Sequence, residues 1–413
     1  MRSKKATLAV TLTLALALAA CGGGDEDSGD SGGGGGSASG EPLKIGVIIP
    51  QSGNFAPEGE EVKRGYELAL AANDNEMGGR PVELFFGDAL APEDATAEVE
   101  RLASQEDVEM FMGSYASTTA QAGSDAAQRL GLTYIETHGT VDALTERGLP
   151  NFFRTGARAS DFAKASADFI IEGLPDVGKN VWVEHEEGPY GSAVADFQIE
   201  ALEEAGYTVV GEGAHAPAAT DVTDSILAAK SANPDIWLHT GYAPDSILMM
   251  KTAAAQQFNP TAKILVGAGD TKAVFDAVGA DIMTNTFVTA YSSEFIQPEY
   301  APGNEEFYSS YRDEYGSDPL GSPANVAYAG MSAVIEMVNA AEGDVTPDAI
   351  RAAIADIDEP LGTLPIGWGL KFDEGGTNTA IDLVTVQWRE DGTTPAVFPE
   401  EARLEDQELV LPE

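Results

Sequence analysis

Leu43-Lys44-Ile45-Gly46-Val47-Ile48-Ile49 opens the folded part of this chain, and the turn Gln51-Ser52-Gly53-Asn54-Phe55 comes just after it. The short β-rich apolar run predicts a strand, and the segment beyond the turn sets Val62, Tyr66, Ala69 and Leu70 on one helical stripe. Gly78-Gly79 ends that helix. Val82 to Phe86, Val108 to Met112 and Thr133 to Ile135 repeat the strand signal with helical segments between them, an order that argues a parallel sheet.

A second series of similar build begins after Phe152-Phe153-Arg154, with strand-like runs at Val181 to Val183, Tyr207 to Val210, Ile236 to Leu238 and Ile264 to Val266. Asn285 to Ala290 adds another strand. Asn304 to Tyr315, Pro323 to Ala340 and Thr346 to Ile357 read as helices that need a sheet to cover. If those helices return to the first sheet, the chain crosses near Arg154, near Tyr291 and near Trp368, where Ile381 to Trp388 joins the second lobe. The expectation is an α/β fold of two lobes with parallel central sheets joined by a three-stranded hinge. Residues 41–154 and 291–367 form the N-terminal lobe, 155–290 and 368–395 the C-terminal lobe, and 396–413 a C-terminal tail.

Upstream, Arg2, Lys4 and Lys5 precede Ala6 to Ala20, a run that is apolar apart from threonines and too short to span a bilayer core of roughly 30 Å as a helix. Residues 1–20 therefore read as a signal peptide, ending in Leu18-Ala19-Ala20-Cys21-Gly22. Residues 21–40 are glycine, serine and acid, a disordered tether that cannot bury enough apolar surface to fold.

The chain has 413 residues, 43% of them hydrophobic, enough for two ordinary cores. Its 68 Asp and Glu against 23 Lys and Arg give a formal charge of -45, which repels nucleic acid over the whole surface. That acidity also suits a salty medium, where screening over about 3 Å at 1 M weakens self-repulsion. Its single cysteine, Cys21, permits no internal disulfide.

In open parallel sheets ligands bind beyond the carboxyl ends of the strands, among free backbone N–H groups and helix N-termini. The turns there supply the candidates. Ser117 and Thr118 stand at a strand-to-helix turn, where one can cap the helix and the other can add a hydroxyl for a ligand carboxylate. Thr140 and His138 end the next strand, and Phe55 and Glu58 belong to the first turn. Tyr190 and Tyr242 offer flat area with a polar tip from the second series, and Asp270 a partner for a cation.

Catalytic and metal patterns are weak. Gly113-Ser114-Tyr115-Ala116-Ser117 is not the Gly-x-Ser-x-Gly elbow. His185-Glu186-Glu187-Gly188-Pro189 lacks the second histidine of a zinc helix, no Gly-Lys-Ser/Thr loop occurs, and four scattered histidines support no metal centre. No catalytic residue, cofactor or metal is expected.

The sequence resembles the solute-binding proteins of the branched-chain amino acid (Leu/Ile/Val-binding) family, the type 1 periplasmic receptors of ABC importers. The resemblance rests on Leu43 to Pro50 with Ser52-Gly53, Arg64-Gly65-Tyr66-Glu67-Leu68-Ala69, Gly78-Gly79-Arg80, Gly113 to Thr118 and Leu144-Thr145-Glu146-Arg147-Gly148. Phe153-Arg154, Tyr190-Gly191 and Gly241-Tyr242 extend it. The residues before Cys21 likewise look like a lipobox, implying diacylation of that thiol and cleavage before it. The family likeness implies two Rossmann-like lobes. It also implies a serine of the Gly113 to Thr118 turn, Thr140 and a backbone carbonyl at His138 around the ligand's carboxylate and ammonium, with Tyr190 and Tyr242 closing from the second lobe. This chain differs in carrying Glu136-Thr137-His138-Gly139 where small residues are common, and Gly269 with Asp270 one position later where a glutamate is familiar.

The expected function is a non-enzymatic, extracytoplasmic receptor, lipid-anchored to the cell membrane through Cys21. It would capture an amino acid, amide or organic acid and deliver it to ABC permease subunits. Two alternatives remain open: a hydrolase using Ser114 or Ser117 with His138, and a ligand sensor uncoupled from transport.

Overall fold

The computed structural model describes residues 40–411, so the leader, Cys21 and the tether up to residue 39 lie outside the described residues. The first sheet runs in the order β2-β3-β1-β4-β5-β6. Its strands are β1 (Leu43–Ile49), β2 (Glu76–Met77), β3 (Arg80–Asp88), β4 (Met110–Gly113), β5 (Thr133–Glu136) and β6 (Phe152–Arg154). All pairings are parallel except the short β2. Leu43, Ile45, Val47 and Ile49 face one layer and Ile48 the other, all of them buried, as a parallel strand covered on both sides requires.

The helix Ala56–Ala72 buries Val62, Tyr66, Ala69 and Leu70. Each large apolar side chain so buried contributes about 1.5–3 kcal/mol. That helix packs on Ser322–Ala340, and Gly65 is what lets the two meet: a Cβ there would lie 2.3 Å from the Ala324 carbonyl oxygen. Val99 and Leu102 of the helix Pro92–Gln105, with Ala120, Ala126 and Ala127 of Ser117–Leu130, cover the other face over Phe111, Tyr134 and Phe152.

The second sheet runs β15-β14-β11-β10-β9-β7-β8. It comprises β7 (Asn180–Glu186), β8 (Thr208–His215), β9 (Ile236–Gly241), β10 (Ala262–Gly267) and β11 (Phe287–Ala290), followed after a ribbon of β12 (Asp358–Glu359) and β13 (Leu370–Lys371) by β14 (Val384–Gln387) and β15 (Ala396–Phe398). Here the parallel expectation holds for β7 to β11, whereas β14 and β15 pair antiparallel. β14 reaches β11 from the opposite direction and returns through a turn at Asp391-Gly392. The sheet thus takes in residues 396–398, which the sequence reading left to a tail.

The chain passes between the two sheets three times: after Arg154, after Ala290, and between the helix Pro347–Ile354 and β14. The last pass lies beside the first, since the Arg154 N–H donates to Gly376 and the Asn378 N–H to Arg154, at 2.9 and 2.8 Å.

Register brings the strand ends level. Ile48, Gly113, Glu136 and Arg154 are successive partners across the first sheet, and His185, Thr240, Val266 and Thr289 across the second. The loops after those strands are therefore neighbours.

Candidate functional site

The loops enclose a cavity of about 50 Å³ whose walls come from both sheets, with Ser117, His138 and Thr140 on one side and Tyr190, Tyr242 and Asp270 on the other. Six of the nine ligand-site residues read from sequence thus meet in one cavity. Phe55 and Thr118 line a second chamber of about 280 Å³ that shares Ser117, Tyr190 and Tyr242 with the first. Glu58 lines neither chamber; one oxygen of its carboxylate is buried without a partner, and burial pushes its carboxyl up.

Aromatic rings bridge the two sides. Tyr242 lies 5.1 Å from Phe55, 6.1 Å from Tyr115 and 5.5 Å from Tyr190, measured between ring centroids. The Tyr190 hydroxyl donates to the Val266 carbonyl at 3.1 Å, so this residue presents its ring. That bond needs Gly267, which sits at φ +90° and whose added Cβ would lie 2.1 Å from the hydroxyl.

Neither Ser117 nor Thr118 caps the helix they open; Ala116 holds the N-cap position without a side-chain bond. Ser117 Oγ instead accepts the Thr140 and Val141 N–H groups at 3.1 and 3.3 Å, tying one strand end to the next and leaving its own proton to donate. Ser117→Ala strands those two N–H groups, and ligand affinity is expected to fall by about 1–3 kcal/mol in isothermal titration. An unchanged dissociation constant would remove Ser117 from the site.

His138 is committed to the protein. Its Nε2 lies 3.2 Å from the Pro323 carbonyl, which only accepts, so Nε2 carries the proton. Nδ1 then accepts from Thr137 Oγ1 at 2.7 Å, and Thr137 accepts in turn from the Tyr66 hydroxyl. Burial pulls the imidazole down to about 4, so it is neutral. It lines the cavity with ring carbon and has no nitrogen left for a ligand or a nucleophile. Ser114 Oγ donates to Ala116, and Ser117 bonds the 140–141 backbone. Neither Ser114 nor Ser117 is therefore paired with His138 as the hydrolase alternative requires.

The Thr137 to Thr140 turn is held by Glu136. One carboxylate oxygen accepts the N–H groups of Ser114, Thr137, His138 and Gly139 at 2.6, 3.1, 2.9 and 2.6 Å. Arg154 then binds the Thr140 and Val141 carbonyls.

Asp270 is only 8% exposed, and one of its carboxylate oxygens has no partner. Burial raises its carboxyl to about 6 against hydrogen bonds from Ser322, so near neutrality it is mostly a carboxylate. An acceptor of that kind facing a cavity suits a cation.

Sequence reasoning passed over Tyr115, Tyr291, Ser322 and Pro323, all in the cavity wall. Tyr115 lies inside the turn that yielded Ser117, and Tyr291 directly follows β11, so the strand-end rule reaches both. Ser322 and Pro323 open a helix far along the chain and carry no local signal.

Behind Tyr242 lies a buried polar cluster. His215 stands between Glu184 and Asp245, with Nδ1 3.7 Å from one carboxylate and Nε2 3.6 Å from the other, and stacks on His239 at 5.6 Å. Asp245 accepts the Tyr242 N–H at 3.0 Å, while Glu184 accepts from Ser225 and the Trp182 indole. Among the described residues no group of His, Cys, Asp and Glu is arranged to hold a metal ion, and no helix is long and apolar enough to cross a membrane.

Two mostly parallel sheets flanked by helices, whose strand ends enclose a small aromatic-walled cavity with a few polar groups, define a type 1 periplasmic binding architecture. The family model for periplasmic binding proteins matches residues 42–393. Leu/Ile/Val-binding protein homolog 8 of Brucella abortus is 33% identical over 371 residues, spanning 88% of this chain and 92% of that protein. The substrate-binding protein LivJ of Streptococcus pneumoniae, solved in complex with isoleucine, has a TM-score of 0.74 at 20% identity, covering 90% of this chain and 100% of its own. A solute-binding protein of R. palustris in complex with 4-hydroxybenzoate gives 0.76 at 21%, covering 89% and 98%. This chain belongs to the periplasmic binding protein family, whose members are extracytoplasmic substrate-binding proteins.

Proposed function

We propose that this protein is the solute-binding receptor of an ABC importer, anchored by diacylated Cys21, and that it captures a small amine-bearing ligand without bond chemistry. Its two lobes, 41–154 with 291–367 and 155–290 with 368–398, would close over the ligand and present the closed form to a permease. The observation that carries the ligand class is Asp270, a buried carboxylate with a bare oxygen on a cavity whose wall holds no lysine or arginine. Relatives solved with isoleucine and with 4-hydroxybenzoate mark out the candidates. An amino acid fits the acid at Asp270 better than an aromatic acid, which brings no cation to it.

Isothermal titration against leucine, lysine, a primary amide and benzoate tests the reading. Saturable binding of an amine-bearing member is expected, whereas binding to none would sink it. Affinity for that ligand should fall as pH drops through about 6, because a bound cation favours the ionised Asp270 and protons compete with it. A flat profile between pH 7.5 and 5 would argue that no cation meets this carboxylate. Metabolic labelling with palmitate, lost in Cys21→Ser, tests the anchor.

A further inference from the structure

The second chamber carries an acid of its own. Glu186 ends β7, is 4% exposed, and leaves one carboxylate oxygen buried without a partner. It lines the 280 Å³ chamber, while Asp270 lines the 50 Å³ cavity, and Tyr190 and Tyr242 belong to both walls. No lysine or arginine lines either space. The two histidines that act on Glu186 are already engaged: His215 stands between Glu184 and Asp245, and His185 lies with Nδ1 2.9 Å from the Glu186 carbonyl and Nε2 2.9 Å from Glu212. The surroundings of Glu186 therefore hold more carboxylate than countercharge: burial, foremost, and Asp245 push its carboxyl up, against the Gly188 N–H and His215.

We propose, building on the receptor reading above, that the two chambers form one elongated site for a ligand with two cationic groups on a flexible chain, such as a basic amino acid or a diamine. One ammonium would meet Asp270 and the other Glu186. Each buried carboxylate oxygen would gain the charged partner it lacks. The methylenes between would run past Tyr190 and Tyr242, whose faces also attract cations. The rings stand 5.5 Å apart between centroids, so the chain must pass their edge or displace Tyr242.

L-norleucine is lysine without its terminal ammonium, which makes it the reference. Isothermal titration of the full protein with L-ornithine, L-lysine, L-arginine, cadaverine and L-norleucine at pH 7.5 is expected to show at least one dication binding tenfold or more tighter than norleucine. In Glu186→Gln that ratio should fall at least tenfold. Norleucine binding as tightly as every dication, in the wild-type protein alone, would overturn the proposal whatever the variant does. So would a ratio unmoved by Glu186→Gln. Saturable norleucine or leucine binding with the dications excluded would overturn this inference and leave the receptor reading standing, whereas binding of none of these nor of benzoate would overturn both.

Discussion

Glu136→Ala is expected to lower the unfolding free energy by about 4 kcal/mol, at the upper end of single substitutions. Three N–H groups, those of Ser114, His138 and Gly139, have this carboxylate as their partner, and the Thr137 N–H divides itself between Glu136 and the Gly113 carbonyl. Alanine leaves them in a protein interior with nothing to bind, at about 1–3 kcal/mol for each unsatisfied donor, relieved where water enters. The same change frees the turn that carries His138 and Thr140 into the cavity, so ligand binding should fail with it. Glu136→Gln keeps an acceptor oxygen and gives up the charge, and should cost less than half as much. Urea unfolding followed by fluorescence checks both: a Glu136→Ala midpoint within experimental error of the wild type would show that the turn holds its shape without the carboxylate.

This residue also marks where reading from sequence runs out. Glu136 sits in the run Thr133-Tyr134-Ile135-Glu136, where it registers only as a departure from small residues; that its side chain folds back onto the N–H groups of its own turn, and that Ser114 joins them because β4 and β5 stand in register, shows only in three dimensions. His138 fails to be legible for a similar reason, since its second nitrogen is taken by Pro323, 185 positions away. What was legible followed from periodicity and from one rule of parallel sheets. Leu43 to Ile49 is buried on both faces, and the strand-end rule gathered Ser117, His138, Thr140, Tyr190, Tyr242 and Asp270 because registered parallel strands end side by side. The parallel pattern breaks where β14 enters antiparallel to β11, and β15 then returns through Asp391-Gly392, a turn signal in the sequence.

His215→Gln carries the second large effect, and it should depend on pH. In the wild-type protein Glu184 and Asp245 are held low, despite burial, by His215 between them. The imidazole is itself raised to about 9: burial pulls it down, but the Asp245 and Glu184 carboxylates outweigh that. A group whose pKa is raised on folding contributes its stability in full below its unfolded value, near 6.5, and loses it as pH climbs through about 9. At pH 6 the variant leaves two buried carboxylates without their cation, and about 3–5 kcal/mol of stability should go. By pH 9.5 the wild-type imidazole is largely neutral too, so the gap between the two proteins should narrow by on the order of 2 kcal/mol. Asp245 accepts the Tyr242 N–H, so the same titration should loosen the loop that closes the cavity, and ligand affinity should decline over the same window. Paired urea titrations of wild type and variant at pH 6, 7.5 and 9.5 decide it: a difference in stability that stays constant across the three would mean that the ion pairs flanking His215 do not form in solution.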